Sequence, residues 1–290
     1  MKRDLSRRLK DLTGISALLL LAVFMIPHND PSESVRRSLL FCARSLVPSM
    51  FVSMVLGKMI AELPVSSKHM ELRLILIGLI CGFPLGAAET RKLYENGCIS
   101  SRKAASLLSL TNNASASFII SFVGVKMLGS LKAGLLLFAG NALATFLWFF
   151  VLRFADGRND TIYINEGNKT PTSRIIGESA ETMTVICGCV VFFSSIADLA
   201  CRFFANDKID VLTRGFLELS GGVSRAALLK PVNAYIISAM FIGWSGTCVH
   251  LQVSYAAGGE ISHGRYYLER VFHASFMGLY AVLTKKMAII

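Results

Sequence analysis

Two short polar stretches interrupt oily runs, and their residue types suit the passage of a solute better than a reaction. The first is Cys81-Gly-Phe-Pro-Leu-Gly-Ala-Ala-Glu89, and the second is Thr111-Asn-Asn-Ala-Ser-Ala-Ser117. Gly82 and Gly86 permit close backbone approach, and Pro84 removes a helix hydrogen bond. Asn112 and Asn113 each offer a donor and an acceptor, and Ser115 adds a rotatable hydroxyl. A helix starting at the 82–86 tip aims free N–H groups at whatever lies in front of it, which favours an anion. Glu89 follows one turn further in.

The second half of the chain carries two stretches of the same kind. Phe216-Leu-Glu-Leu-Ser-Gly-Gly222 sets Glu218 beside a glycine pair. Gly243-Trp-Ser-Gly-Thr-Cys-Val-His-Leu-Gln252 supplies Ser245, Thr247, His250 and Gln252. An ionisable side chain among apolar residues is costly and marks a functional position by default. Glu218 and His250 are therefore read as a pair able to relay a proton. The candidate solute-binding set is Gly82, Pro84, Gly86, Glu89, Asn112, Asn113, Ser115, Glu218, Ser245, Thr247, His250 and Gln252. The competing reading of the same residues is packing: small and polar side chains also let helices approach and bond across a membrane interface.

Enzymatic patterns are missing from the sequence. It has no Gly-x-Ser-x-Gly, His-Glu-x-x-His or phosphate-cradling glycine loop. His263 and His273 are read as lacking a companion carboxylate at metal-ligand spacing. The expectation is a protein without catalytic residues, bound metal or cofactor.

Polar breaks of this kind need a scaffold that tolerates them. Of the 290 residues, 53% are hydrophobic and 17% charged, and the mean hydropathy is +0.54. A soluble domain is nearer about 25% charged. Apolar runs recur at residues 14–27, 46–60, 74–88, 118–127, 133–152, 183–204, 234–255 and 271–283. A spanning helix needs roughly 20 residues. In hydrocarbon, a helix break leaves backbone groups unsatisfied unless it is buried in protein or lines a wet cavity. The net charge of +11 sits mostly in short loops, where topology and lipid headgroups account for it, so nucleic acid is not an expected partner. The seven cysteines form no Cys-x-x-Cys pair and read as buried, reduced packing residues. Residues 1–10 are basic and precede the first apolar run, which reads as an uncleaved first helix with its basic end in the cytoplasm.

The expected fold is all-α: a polytopic integral membrane protein of the cell membrane, with two related, inverted repeats and Gly/Pro-broken helices or re-entrant hairpins. Residues 1–34 form the basic N-terminus and first helix, 35–155 repeat one, 156–172 a polar linker and 173–290 repeat two. The halves are matched by pairing the 82–86 tip with the break at 243–246, each followed by a Gly-x-Ile-Ser signature at 97–100 and 259–262. With the first hairpin on the cytoplasmic side, Lys68, Arg73, Arg91, Lys92, Arg102 and Lys103 join the basic N-terminus, while Arg36, Arg37, Arg265 and Arg270 fall on the far side. A small-molecule solute and membrane lipids are the expected partners, and the reading leaves room for a homo-oligomer.

At these residues the chain resembles the YlbJ-type sporulation integral membrane proteins, within the wider nucleoside-recognition or Gate family. Ser45-Leu-Val-Pro48, Cys81-Gly-Phe-Pro-Leu-Gly-Ala87, the stretch from Leu93-Tyr-Glu-Asn-Gly97 through Asn112-Asn-Ala-Ser115, Phe216-Leu-Glu-Leu-Ser-Gly221 and Gly243–Gln252 carry the resemblance. Gly221 stands where the family has Asn, and Ala116 where it has Pro. The resemblance implies a polytopic protein of endospore formers, linked to spore maturation and to moving a small anionic solute such as dipicolinate. A nucleoside-type transporter and a non-transporting membrane scaffold are the alternatives.

Overall fold

A computed structural model of the chain describes residues 21–22, 24, 31–64, 67–156, 162, 170–202 and 206–289. Nearly all of the expected first helix at 14–27 and most of the 156–172 linker lie outside these residues.

Among the described residues every regular element is a helix. The first half contains α1 (Ser32–Ala61), α2 (Ser67–Cys81), α3 (Leu85–Glu95), α4 (Ser101–Thr111), α5 (Phe118–Met127) and α6 (Leu131–Asp156). The second contains α7 (Thr172–Arg202), α8 (Asp207–Leu217), α9 (Leu219–Ala226), α10 (Pro231–Trp244), α11 (Gly246–Ala257) and α12 (Gly264–Ile289). Local chemistry sets several starts. Ser100 caps α4 by accepting the Lys103 N–H at 3.1 Å, Asn206 caps α8, and Pro231 opens α10 where its missing N–H costs nothing. The wider π-type turns fall at Cys42–Leu46 within α1 and along α5.

Four helical stretches are long and apolar enough to cross a bilayer: Ser32–Ala61, Leu131–Ala155, Thr172–Arg202 and Pro231–Ala257, the last interrupted at Ser245. Together they make this a membrane-embedded protein. Large apolar side chains such as Phe150, Phe154, Phe192 and Leu283 remain exposed, which suits lipid and would be costly in water.

Each half has the same order of parts: a long helix, a fold-back pair, an interrupted pair and a second long helix. Arms α2 and α3 fold back at 82–84, and both Gly78 and Gly86 lie against the Thr111 carbonyl, where a Cβ would not fit. Arms α8 and α9 fold back at Glu218, with Gly215 against Gly222. The interrupted pairs are α4/α5, broken at residues 112–115, and α10/α11, broken at Ser245. The two stretches paired from sequence take different forms: 82–84 is a fold-back between two arms, whereas 243–246 interrupts one long helical stretch. In the Gly-x-Ile-Ser signature, Gly97 turns and Ser100 caps α4, while the second copy ends at Ser262, two residues before α12 begins at Gly264.

Arg270 of α12 reaches both breaks, bonding Asn113 in one and Ser245 in the other. α12 packs along α10, α6 and α4, while α1 lies on α7. Residues distant in sequence thus share one polar interior.

Candidate functional site

The first fold-back tip is held by the first helix break. Gly82 has φ 83°, and a Cβ there would lie 2.7 Å from the Ser115 Cβ, so the position demands glycine on two counts. The Phe83 N–H donates to the Asn113 carbonyl at 2.9 Å. Asn112 accepts the Ala87 N–H through Oδ1 at 3.0 Å and donates to the Leu108 carbonyl at 2.7 Å. Both backbone groups would otherwise be buried without partners. Asn113 donates to the Leu110 carbonyl at 3.0 Å and accepts from Thr145 Oγ1 at 3.2 Å. Ser115 Oγ accepts the Phe118 N–H at 3.2 Å and so starts the second half of that broken helix.

The second tip is closed by its own acid. The Glu218 carboxylate accepts the Ser220 N–H at 2.9 Å, the Ser220 hydroxyl at 2.6 Å and the Gly221 N–H at 2.6 Å. It is an N-cap for α9 with charge added, placed where the helix dipole welcomes it. The matching break lies at Ser245, a non-glycine residue with φ 72°. Gly246, φ 81°, sits against the Leu219 N–H, so the break and the tip are in contact.

A narrow cavity lies between the two tips. Phe83, Ser115 and Phe118 line it from the first half, and Glu218, Leu219, Ser220, Cys248, Val249 and Gln252 from the second. Leu46 and Met50 of α1, with Ile186 and Val190 of α7, complete the wall. Its volume is about 30 Å³, room for a water or two and too little for a solute. Gln252 is 2% exposed and donates to Cys248 Sγ at 3.2 Å, but its Oε1 has no hydrogen-bond partner. An unsatisfied buried acceptor costs about 1–3 kcal/mol unless something donates to it.

The cavity shares Glu218 and Ser220 with a wider polar vestibule lined by Arg37, Asp198, Arg214 and Arg225. A separate polar pocket, lined by Lys58, Glu62, Glu89, Lys92, Thr170 and Glu178, has no lining residue in common with the cavity. Around it, Lys58 pairs with Glu178 at 3.4 Å, while Lys92 and Thr170 both reach Glu62.

The sequence-selected residues therefore separate into groups. Ser115, Glu218 and Gln252 face the cavity. Gly82, Pro84, Gly86, Asn112 and Asn113 build the first tip and its support. Ser245 forms the second break, and Thr247 donates to the Phe216 carbonyl at 3.0 Å. Glu89 belongs to the separate pocket. His250 turns away from Glu218: its Nδ1 meets the Tyr266 hydroxyl at 2.9 Å, and its ring packs edge-on against Trp244. The two do not form the proton-relay pair read from the sequence, because Glu218 spends its oxygens on the helix it caps.

A charged cluster missed from sequence lies behind the breaks. Glu269, Arg270 and His273 of α12 are at most 1% exposed. Arg270 bonds Glu269 through Nε, Ser245 Oγ through Nη1 at 3.1 Å and Asn113 Oδ1 through Nη2 at 3.3 Å. His273 reaches Glu269 at 2.7 Å and Asn141 at 3.1 Å. Arg270 is thus inside the bundle and not at the far membrane face, and His273 does have a companion carboxylate, four residues before it. The signal was present: Glu269 and His273 are spaced i, i+4 on one face of α12, beside its apolar run at 271–283.

The chain is similar to a sporulation integral membrane protein. That relative is "Sporulation integral membrane protein YlbJ" of Bacillus subtilis (strain 168), 22% identical over 259 residues. The match takes in 73% of this chain and 63% of that protein, so the chain spans less than two thirds of its relative's length. No family model matches the chain, and no solved structure does.

Proposed function

We propose that this protein is a transporter of the spore-forming programme that passes a small polar solute through the cavity between its two halves. The observation carrying this reading is Gln252, whose Oε1 is buried, unpartnered and set in the wall of a cavity where both fold-back tips meet. A static scaffold gains nothing from a buried acceptor kept free. The tight cavity corresponds to a closed state that must widen to admit a solute. The link to sporulation rests on the related protein's name. The reading involves no chemistry on the solute, and lipids are its other partners.

The anionic solute expected from sequence is less well supported than a neutral one. That expectation needed free N–H groups at the helix starts. Those of Ser220 and Gly221 are taken by Glu218, and that of Ala87 is taken by Asn112. The carboxyl in the cavity wall, that of Glu218, accepts three hydrogen bonds and offers an anion no donor. Phe83 and Phe118 offer ring faces, and Ser115 and Gln252 offer hydrogen bonds. These favour a planar, uncharged, hydrogen-bonding solute of the nucleoside type over dipicolinate.

Reconstituted vesicles tested with labelled nucleosides and dipicolinate separate the readings. Saturable nucleoside uptake that is lost in Gln252→Leu is the expected result. Dipicolinate uptake alone would reverse the substrate assignment, and no uptake of either would favour the scaffold.

A further inference from the structure

We propose that Arg270 is a built-in cation that latches the two broken helices together, taking the place a bound sodium ion holds in other broken-helix membrane proteins. In such proteins the unwound chain and the C-terminal ends of half-helices gather around a coupling cation. Here α4 ends at Thr111 and α10 ends at Trp244, and both ends lead into the breaks that Arg270 reaches. The C-terminal end of a helix carries partial negative charge, and two such ends favour a positive group between them.

The guanidinium has the geometry for this role. It is fully buried, and its two Nη atoms divide between the halves, one bonding Ser245 and the other Asn113. Each of those is a non-helical residue of its own break. Ser245 is held in the left-handed region, which a side chain other than glycine adopts only against a cost. Asn113 in turn accepts the Phe83 N–H of the first tip through its carbonyl, so Arg270 is two hydrogen bonds from Phe83 in the cavity wall.

Charge balance supports the same conclusion. Glu269 pairs with Arg270 through Nε, and the Tyr266 ring lies 5.8 Å from the guanidinium carbon. The pair is neutral as a unit, which is the condition for leaving it in a dry interior. A sodium ion added to the same place would bring an uncompensated charge. Opening the cavity then corresponds to Arg270 releasing one of its two break residues, with no sodium requirement. This last step rests on the transport reading, whereas the latch itself does not.

Cys248 lines the cavity and reports on it directly. The purified full-length chain in detergent is treated with N-ethylmaleimide, and labelling of the Cys248 peptide is followed by mass spectrometry. The wild-type rate is expected to be the same in choline, sodium and potassium chloride. Arg270→Ala, which removes the bonds to Glu269, Ser245 and Asn113, is expected to label at least roughly tenfold faster, the order one charged hydrogen bond sets. Guanidinium at non-denaturing millimolar concentration is expected to slow it again, and Arg270→Lys to fall between. Labelling of Arg270→Ala at the wild-type rate, acceleration that guanidinium does not reverse, or wild-type protection that depends on sodium would each overturn the proposal. Should Arg270→Ala fail to accumulate, the charge-neutral pair Glu269→Gln/Arg270→Gln takes its place with the same fast labelling expected. Failure of both to accumulate would make the pair a folding element and not a latch. Vesicle uptake is read separately: lost uptake with these labelling results intact sinks transport and leaves the latch standing.

Discussion

The Asn112 side-chain oxygen accepts the backbone N–H of Ala87 at 3.0 Å, tying the middle of one broken helix to the first turn of the helix after the fold-back tip. The same amide donates to the Leu108 carbonyl. An Asn placed to meet a solute would not spend both ends of its amide on the backbone. Asn112 is therefore a brace for the tip that frames the cavity.

Replacing Asn112 by Ala is expected to lower stability by about 1–3 kcal/mol, because the Ala87 N–H is left buried without an acceptor. Thermal unfolding in detergent measures this. Solute affinity in the surviving folded protein is expected to change little, and a selective loss of affinity with unchanged unfolding would return Asn112 to the binding set.

Gly82→Ala is expected to cost at least about 1–3 kcal/mol for the left-handed backbone alone. The added methyl also meets the Ser115 Cβ at 2.7 Å. Ser115→Gly in the same chain removes the nearest contact but leaves the backbone N at 2.9 Å and Cα at 3.1 Å together with the backbone cost, so a double-mutant cycle should show partial rescue. Full rescue would mean the backbone at Gly82 is unstrained.

Glu218→Gln keeps the shape of the cap but loses its charge and one acceptor. The fold is expected to lose about 1–2 kcal/mol. Without the carboxylate, the start of α9 is open to an external anion. Dipicolinate is then expected to compete for uptake better in Glu218→Gln than in the wild type, which a competition assay reads. Equal competition in both would mean that Glu218 does not screen the cavity.

Acid sensitivity is expected to run through Asp210, which lines a polar pocket with Arg37, Asp198, Arg214 and Arg225 and lies outside the four long apolar helices. Burial pushes its carboxyl up, but hydrogen bonds from Cys201, Arg214 and Arg225 outweigh that and hold it below the usual range. Arg214 Nε lies 2.7 Å from it, and Arg225 bonds the other oxygen. A depressed value in the folded state means the stabilisation is complete above the ordinary Asp value of about 3.9 and fades as pH falls through the folded one. Asp210→Asn is expected to be less stable than wild type at neutral pH and to lose less on acidification below about pH 4. Parallel acid limbs for the two proteins would show that other carboxylates carry the effect.

The sequence by itself determined that the chain is helical and membrane-embedded, and where its helices break. These are local properties: apolar length decides what can span, while Gly82, Pro84, Gly246 and the Ser100 cap decide where a helix starts or fails. It also named the residues that gather at the breaks, Asn113, Ser115, Glu218, Ser245 and Gln252 among them. Only the tertiary structure decided what each of them touches. Asn113 and Arg270 are 157 residues apart and meet because α12 packs against α4 and α10. The same packing turned His250 toward Tyr266 instead of Glu218, and set Asn112 to bracing the backbone. A side chain's residue type limits the bonds it can form, but in a dry interior its partner is whichever group the packed helices bring within reach.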